Sequence, residues 1–211
     1  MSQHKKRELV LELKDQLTSC MLDEIYFSSE ESHRLLDLLG IESPDLEGAS
    51  YDMSAEDIAT INAAFPSKEI SVKASEGWLR TRGTWDNVPY KLHTNRELLL
   101  MLGGDKPLTV FCDSQPWQSQ VLIEMCEKFE PYVQDGRFVK REYIEINAQD
   151  ARQSVRWVFF AQPAEAWRID SYILMKQTAK FSGWNDALER MEGTLLGYTD
   201  EQNSIHLLRN K

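Results

Sequence analysis

The chain has 211 residues, 42% hydrophobic and 27% charged, a composition that excludes wholesale disorder and predicts one large domain, or a domain with a smaller appended lobe. At this length folding buries about 70% of the surface the unfolded chain exposes, so no metal or disulfide staple is required. The net charge of −10 repels phosphate and disfavours nucleic acid as a partner.

The N-terminal third reads as helical. Val10, Leu13, Leu17 and Met21 recur at spacings of three and four, the stripe of an amphipathic helix. Ser28 followed by Glu31 forms a capping box, in which the serine oxygen accepts from an early amide and the glutamate reaches back. The helix it opens presents Leu35, Leu36, Leu38 and Leu39 and stops at Gly40. A loop through Pro44 and Gly48 leads to Ser54, which caps a short helix carrying Ile58, Ile61 and Phe65 and closed by Pro66.

Beyond Pro66 the pattern changes. Ile70–Val72 and Trp78–Trp85 read as strands, with Asp86-Asn87 as a hairpin turn into Val88–His93. Thr94 and Glu97 form a further capping box before a short helix, Leu98–Leu102, that ends at Gly103-Gly104. Leu108–Cys112 is a buried type of strand, and Leu122, Met125, Phe129 and either Tyr132 or Val133 mark a helix of about four turns. Asp135-Gly136 turns the chain into an extended segment, Phe138–Ile146. Val155–Phe160 is apolar on both alternating faces and belongs in the middle of a sheet. Pro163 opens a helix through Trp167, Ile173 and Leu174. Trp184, Leu188, Met191 and Leu195 stripe another that ends at Gly197, and Thr199 with Gln202 caps the last.

The expected class is α+β: N-terminal helices, a central mixed sheet of five or six strands with interposed helices, and C-terminal helices. The charge steps at the same place. Residues 1–69 hold 15 acidic and 6 basic side chains, residues 70–211 hold 19 and 18. An acidic helical region, residues 1–66, is therefore set apart from an α+β region, residues 67–211, and the two form either separate lobes or one continuous domain.

Most chemistry has no motif here. The sequence Gly103-Gly104-Asp105-Lys106 lacks the earlier glycine and following Ser or Thr of a phosphate loop, and the strand comes after it instead of before. No HExxH, GxSxG or paired histidine spacing occurs among His4, His33, His93 and His206. Cys20, Cys112 and Cys126 are widely separated within apolar stretches, which predicts three buried free thiols. Asp113, Glu142 and Glu145 are candidate Mg²⁺ ligands, but the lysine of a nuclease motif is missing. No metal or other cofactor is expected. Trp157, Trp167 and Trp184 are expected in the core. Arg80 and Arg82, alternating on one strand face, are expected to pair with the acidic helices. No run approaches the ~18 apolar residues of a membrane span. The charges in Glu8–Asp15 break up any signal-peptide apolar region after Lys5-Lys6-Arg7, which places the chain in the cytoplasm.

The clearest functional signal is the window Asp23–Asp57, with eleven carboxylates against Arg34 alone. Solvated helix faces account for such a run in most proteins. A contiguous acidic face would also speed encounter with a basic partner. On that reading Asp23, Glu24, Glu30, Glu31, Asp37, Glu42, Asp45 and Glu47 are contact residues, and Trp117, in the polar loop Ser114–Gln118, is an aromatic anchor. The profile suits a non-enzymatic inhibitor that neutralises a basic protein, as an immunity protein neutralises a bacterial toxin. The alternative is a hydrolase or transferase acting on a small molecule or phosphate. Its site would lie at His93 and Arg96, a strand end leading into a helix N-terminus. A self-associating scaffold is the third class. Sequence does not set the oligomeric state.

Overall fold

The computed structural model describes residues 8–15, 20–41, 50–70, 74–114, 119–147 and 150–209. The chain forms two compact units, Met1–Arg96 and Glu97–Lys211. Together the described residues make seven α-helices and two antiparallel sheets, an α+β fold.

In the first unit the strands β1 (Leu9–Asp15), β2 (Met21–Phe27), β3 (Ser50–Met53) and β4 (Ala74–Thr81) form a sheet in the order β2-β1-β4-β3. The helices α1 (Ser29–Leu39) and α2 (Ala55–Ala64) cover one face. Leu9, Leu11 and Leu13 alternate along β1 and pack with Ile25, Phe27, Leu79, Leu35, Ile58 and Ile61, all buried. Phe27 and Phe65 meet edge to face, ring centroids 5.2 Å apart. Buried Ser32 ties α1 to the sheet. Its hydroxyl accepts from Leu9 N–H at 3.0 Å and donates to the Phe27 carbonyl at 3.3 Å.

In the second unit β5 (Leu108–Ser114), β6 (Val139–Glu145) and β7 (Val155–Ala161) form a sheet in the order β5-β7-β6. The helices are α3 (Glu97–Gly103), α4 (Gln120–Gln134), α5 (Trp167–Ser182), α6 (Asp186–Leu195) and α7 (Asp200–Arg209). As its two-sided apolarity requires, β7 is central. Phe159 packs with Ile169, Tyr172 and Met175 of α5, whereas Phe160 stacks on Phe129 of α4 at 4.4 Å.

Several local signals hold. Ser28 with Glu31 and Ser54 with Asp57 are reciprocal capping boxes. Gly40 ends α1 in the left-handed conformation at φ 64°. Thr199 and Gln202 exchange hydrogen bonds at the start of α7.

Other expectations are corrected. The single central sheet of five or six strands is replaced by sheets of four and three. The N-terminal segment is not a helix but β1, paired with both β2 and β4, and Leu17 lies outside the described residues. The Leu9/Leu11/Leu13 alternation wins because strand pairing satisfies the backbone on both sides while burying all three leucines. Asp86-Asn87 is no hairpin turn: it lies in a 3₁₀ turn, Thr84–Asn87, and residues 88–93 form no strand. Glu97 opens α3 rather than standing three residues inside it. Of the Ile70–Val72 strand only Ile70 is described, and it is buried.

Candidate functional site

The far face of the four-stranded sheet gathers charge. Glu12 on β1 pairs in register with Glu24 on β2, and directly opposed like charges destabilise a sheet. Arg80, on β4, resolves the conflict. Its Nε lies 2.5 Å from Glu12 Oε1 and its Nη2 3.3 Å from Glu24 Oε1. The two Nη atoms also grip both oxygens of Asp86, each at 2.7 Å. Arg96 Nη2 donates to the other Glu24 oxygen at 2.9 Å, and its Nη1 donates to the Leu92 carbonyl at 3.1 Å.

The environment shifts three of these groups. Hydrogen bonding to Asp86 raises the Arg80 guanidinium further above its already high pKa. Burial alone would raise the Asp86 carboxyl, but hydrogen bonds from Arg80 and Gly83 N–H hold it below the ordinary carboxylate value. Burial, reinforced by the Glu24 charge, pushes the Tyr26 phenol up to about 12. Arg96 Nε is buried without an acceptor among the described residues.

The expected contact residues fall in different places. Glu24 belongs to this enclosed network. Glu31 is engaged by its neighbours: it accepts from Ser28 N–H at 2.7 Å and pairs with Lys68 at 2.9 Å, and the Lys68 bond leads the lowering of its pKa. Asp23 faces Lys91 at 3.3 Å in the open. Glu30 and Asp37 stand exposed on α1, and Glu56 on α2. Asp52, on the network side of the sheet, accepts from Trp78 Nε1 at 2.7 Å. Glu42, Asp45, Glu47 and Trp117 lie outside the described residues. The described part of the expected acidic run is thus dispersed over both sides of one sheet, since alternation along β2 and turn geometry send neighbouring carboxylates in different directions.

Arg80 and Arg82 do find carboxylates, but in strands and turns instead of the helices: Arg82 pairs with Glu8 at 2.5 Å. The alternative His93–Arg96 site has its guanidinium directed onto Glu24 and Leu92. The Asp113, Glu142 and Glu145 carboxylates do not converge. Glu142 is clamped by Arg156 at 2.9 and 3.1 Å, Glu145 pairs with Lys180 at 2.8 Å, and Asp113 accepts from Ser119 N–H at 3.3 Å. No cluster of three potential metal ligands occurs among the described residues. No family model, curated protein or solved structure matches the chain. No helix among the described residues is long and apolar enough to cross a membrane.

Two further expectations are corrected, and a third holds. The cysteines are free, as expected, but Cys112 is exposed and Cys20 and Cys126 are half-buried. Trp167 and Trp184 are exposed instead of core, each beneath a cation: Arg168 at 4.9 Å from the Trp167 ring, Lys176 at 4.3 Å from the Trp184 ring. The Gly103-Gly104 pair is a helix terminus, with Gly104 at φ 84° and Asp105 N–H bonded to the Leu100 carbonyl.

Glu12, Asp86 and Tyr26 are the network members that sequence reasoning missed. For Glu12 there was a signal. Period-two alternation with Leu9, Leu11 and Leu13 puts Glu12 and Lys14 on the opposite face. Nothing in the sequence announces Asp86, whose role depends on a turn meeting Arg80.

Proposed function

We propose that this protein is a non-enzymatic binding module whose first unit presents the α1–α2 layer to a basic protein surface, in the manner of an inhibitor or immunity protein facing a toxin. One observation supports this reading: charge is segregated across the four-stranded sheet. On the far face Glu12, Glu24 and Asp86 are matched by Arg80 and Arg96. On the helical face Glu30, Asp37 and Glu56 are exposed on two neighbouring helices that hold one arginine, Arg34, no lysine, and one histidine, His33. An exposed field of one sign gives little stability to the fold, but it steers an oppositely charged partner and raises the association rate. The contact set on this reading is Glu30, Asp37 and Glu56, with Asp23 at its margin.

The test uses a lysine-rich peptide as the basic probe. Its affinity for the full chain is measured at low and at physiological salt, beside two triple charge reversals. One reverses Glu30, Asp37 and Glu56 to lysine; the other reverses the exposed Glu124, Glu127 and Asp170 of the second unit. The reading expects salt-sensitive binding that the first reversal weakens about tenfold or more and the second leaves nearly intact. Equal losses in the two variants would show that net charge alone attracts the probe and would overturn it.

A further inference from the structure

The outer side of α5 carries three large apolar side chains at intervals of seven residues. Trp167 is 55% exposed, Leu174 61% and Phe181 91%. The opposite side of the helix, Ile169, Tyr172 and Met175, is buried against β7. Seven residues return almost to the same angular position on a helix, so the three form one stripe about 21 Å long. Folding has thus given α5 an inner face that is covered and an outer one that is not.

We propose that this stripe is the contact face of a two-fold dimer, in which the α5 helices of two copies of the chain pack antiparallel and cross at Leu174. Three features point to a second copy. The stripe is symmetric about its midpoint. With Leu174 on the two-fold axis, Trp167 of one copy meets Phe181 of the other and the reverse holds, which is the self-complementarity an isologous interface needs.

The charges on the β6 flank of α5 have the same symmetry. Asp170 pairs with Arg141 near the N-terminal end of the stripe, and Lys180 pairs with Glu145 near the other end. Antiparallel packing sets Asp170 beside Lys180 of the second copy and Arg141 beside its Glu145. A parallel two-fold would put the β6 flanks of the two copies on opposite sides, where these charges do not meet. Opposed macrodipoles favour the antiparallel arrangement as well.

The area is also sufficient. At these exposures the three side chains present roughly 400 Å² of apolar surface per copy. A standard interface buries about 800 Å² per partner, of which the apolar share is about 450–500 Å². The stripe by itself thus supplies most of the apolar share.

Sedimentation velocity of the full chain, from about 1 to about 100 µM, tests this directly, because interfaces of this size bind in or below that range. The wild type is expected to sediment as a dimer. Leu174→Asp, which places two carboxylates at the two-fold axis, should weaken the dimer roughly a hundredfold or more. Val121→Asp, on α4 where Val121 is 67% exposed, should leave it unchanged. A wild type that stays monomeric throughout, a dimer indifferent to Leu174→Asp, or one lost equally on Val121→Asp would each overturn the proposal. Far-UV circular dichroism checks the fold of each variant. Should Leu174→Asp fail to fold, Phe181→Ser is judged by the same criteria.

Discussion

Arg96 and Glu24, 72 residues apart in the chain, meet with Nη2 2.9 Å from Oε2 in a setting where the arginine side chain is only 4% exposed and the glutamate 16%. Glu24 in turn touches Arg80, so the pair joins the end of the first unit to the middle of its sheet. Removing one partner of an enclosed ion pair leaves the other charge uncompensated, which costs far more than the pair itself contributes. Arg96→Ala should therefore destabilise the first unit by about 3 kcal/mol, and Glu24→Gln by about 2 kcal/mol. The double variant should fall short of their sum because the two changes share one interaction. Urea denaturation of the four proteins completes the cycle.

Tyr26 gives the same network an alkaline signature. Its folded pKa of about 12 lies above the ordinary value near 10, so folding favours the neutral phenol. The contribution is fully present below the unfolded pKa and is lost as pH rises through the folded one. Stability of the first unit should decline between about pH 10 and pH 12 by an amount that Tyr26→Phe removes. The phenolate absorbance of the folded protein should lose one late-titrating tyrosine in the variant, while Tyr172, whose phenol burial also raises, still titrates late.

Lys106 in the second unit behaves in the opposite sense. It is 3% exposed, its Nζ lies 3.3 Å from the Leu196 carbonyl, and burial lowers its pKa to about 8 despite the nearby Glu97 charge. A depressed folded pKa means that stability is present above the unfolded value near 10.5 and lost as pH falls through about 8. This group should therefore raise stability between those limits, and Lys106→Met should abolish that rise. Denaturant midpoints at several pH values for the two proteins are the check.

Gly77 makes a prediction about the sheet itself. A Cβ there would lie 2.5 Å from the Glu12 carbonyl oxygen on the paired strand β1. Both strands are held by neighbours on each side, so neither retreats freely. Gly77→Ala should cost about 2 kcal/mol, against about 1 kcal/mol for Gly136, whose added Cβ would meet nothing within 4 Å and whose cost is confined to its φ of 79°. Thermal unfolding of the two alanine variants compares them.

What the sequence determined by itself is whatever is settled within a few residues. Ser28 with Glu31 and Ser54 with Asp57 cap their helices through bonds three residues long. Gly40 and Gly104 end helices because a left-handed backbone suits a residue without Cβ. The apolar run of β7 needs cover on both faces wherever it lies. Tertiary structure decided the rest, since it depends on partners distant along the chain. Val10, Leu13 and Met21 satisfy helical spacing as well as Leu9, Leu11 and Leu13 satisfy a strand's. The choice fell to β4, whose Leu79 pairs with Leu11. The same holds for charge. An acidic window is visible in composition, but a carboxylate's fate depends on the counter-ion that folding brings to it. Glu24 received Arg80 and Arg96, while Glu30 was left facing water. Local hydrogen bonds form at small entropic cost and leave a pattern in sequence; long-range pairings close large loops and leave almost none.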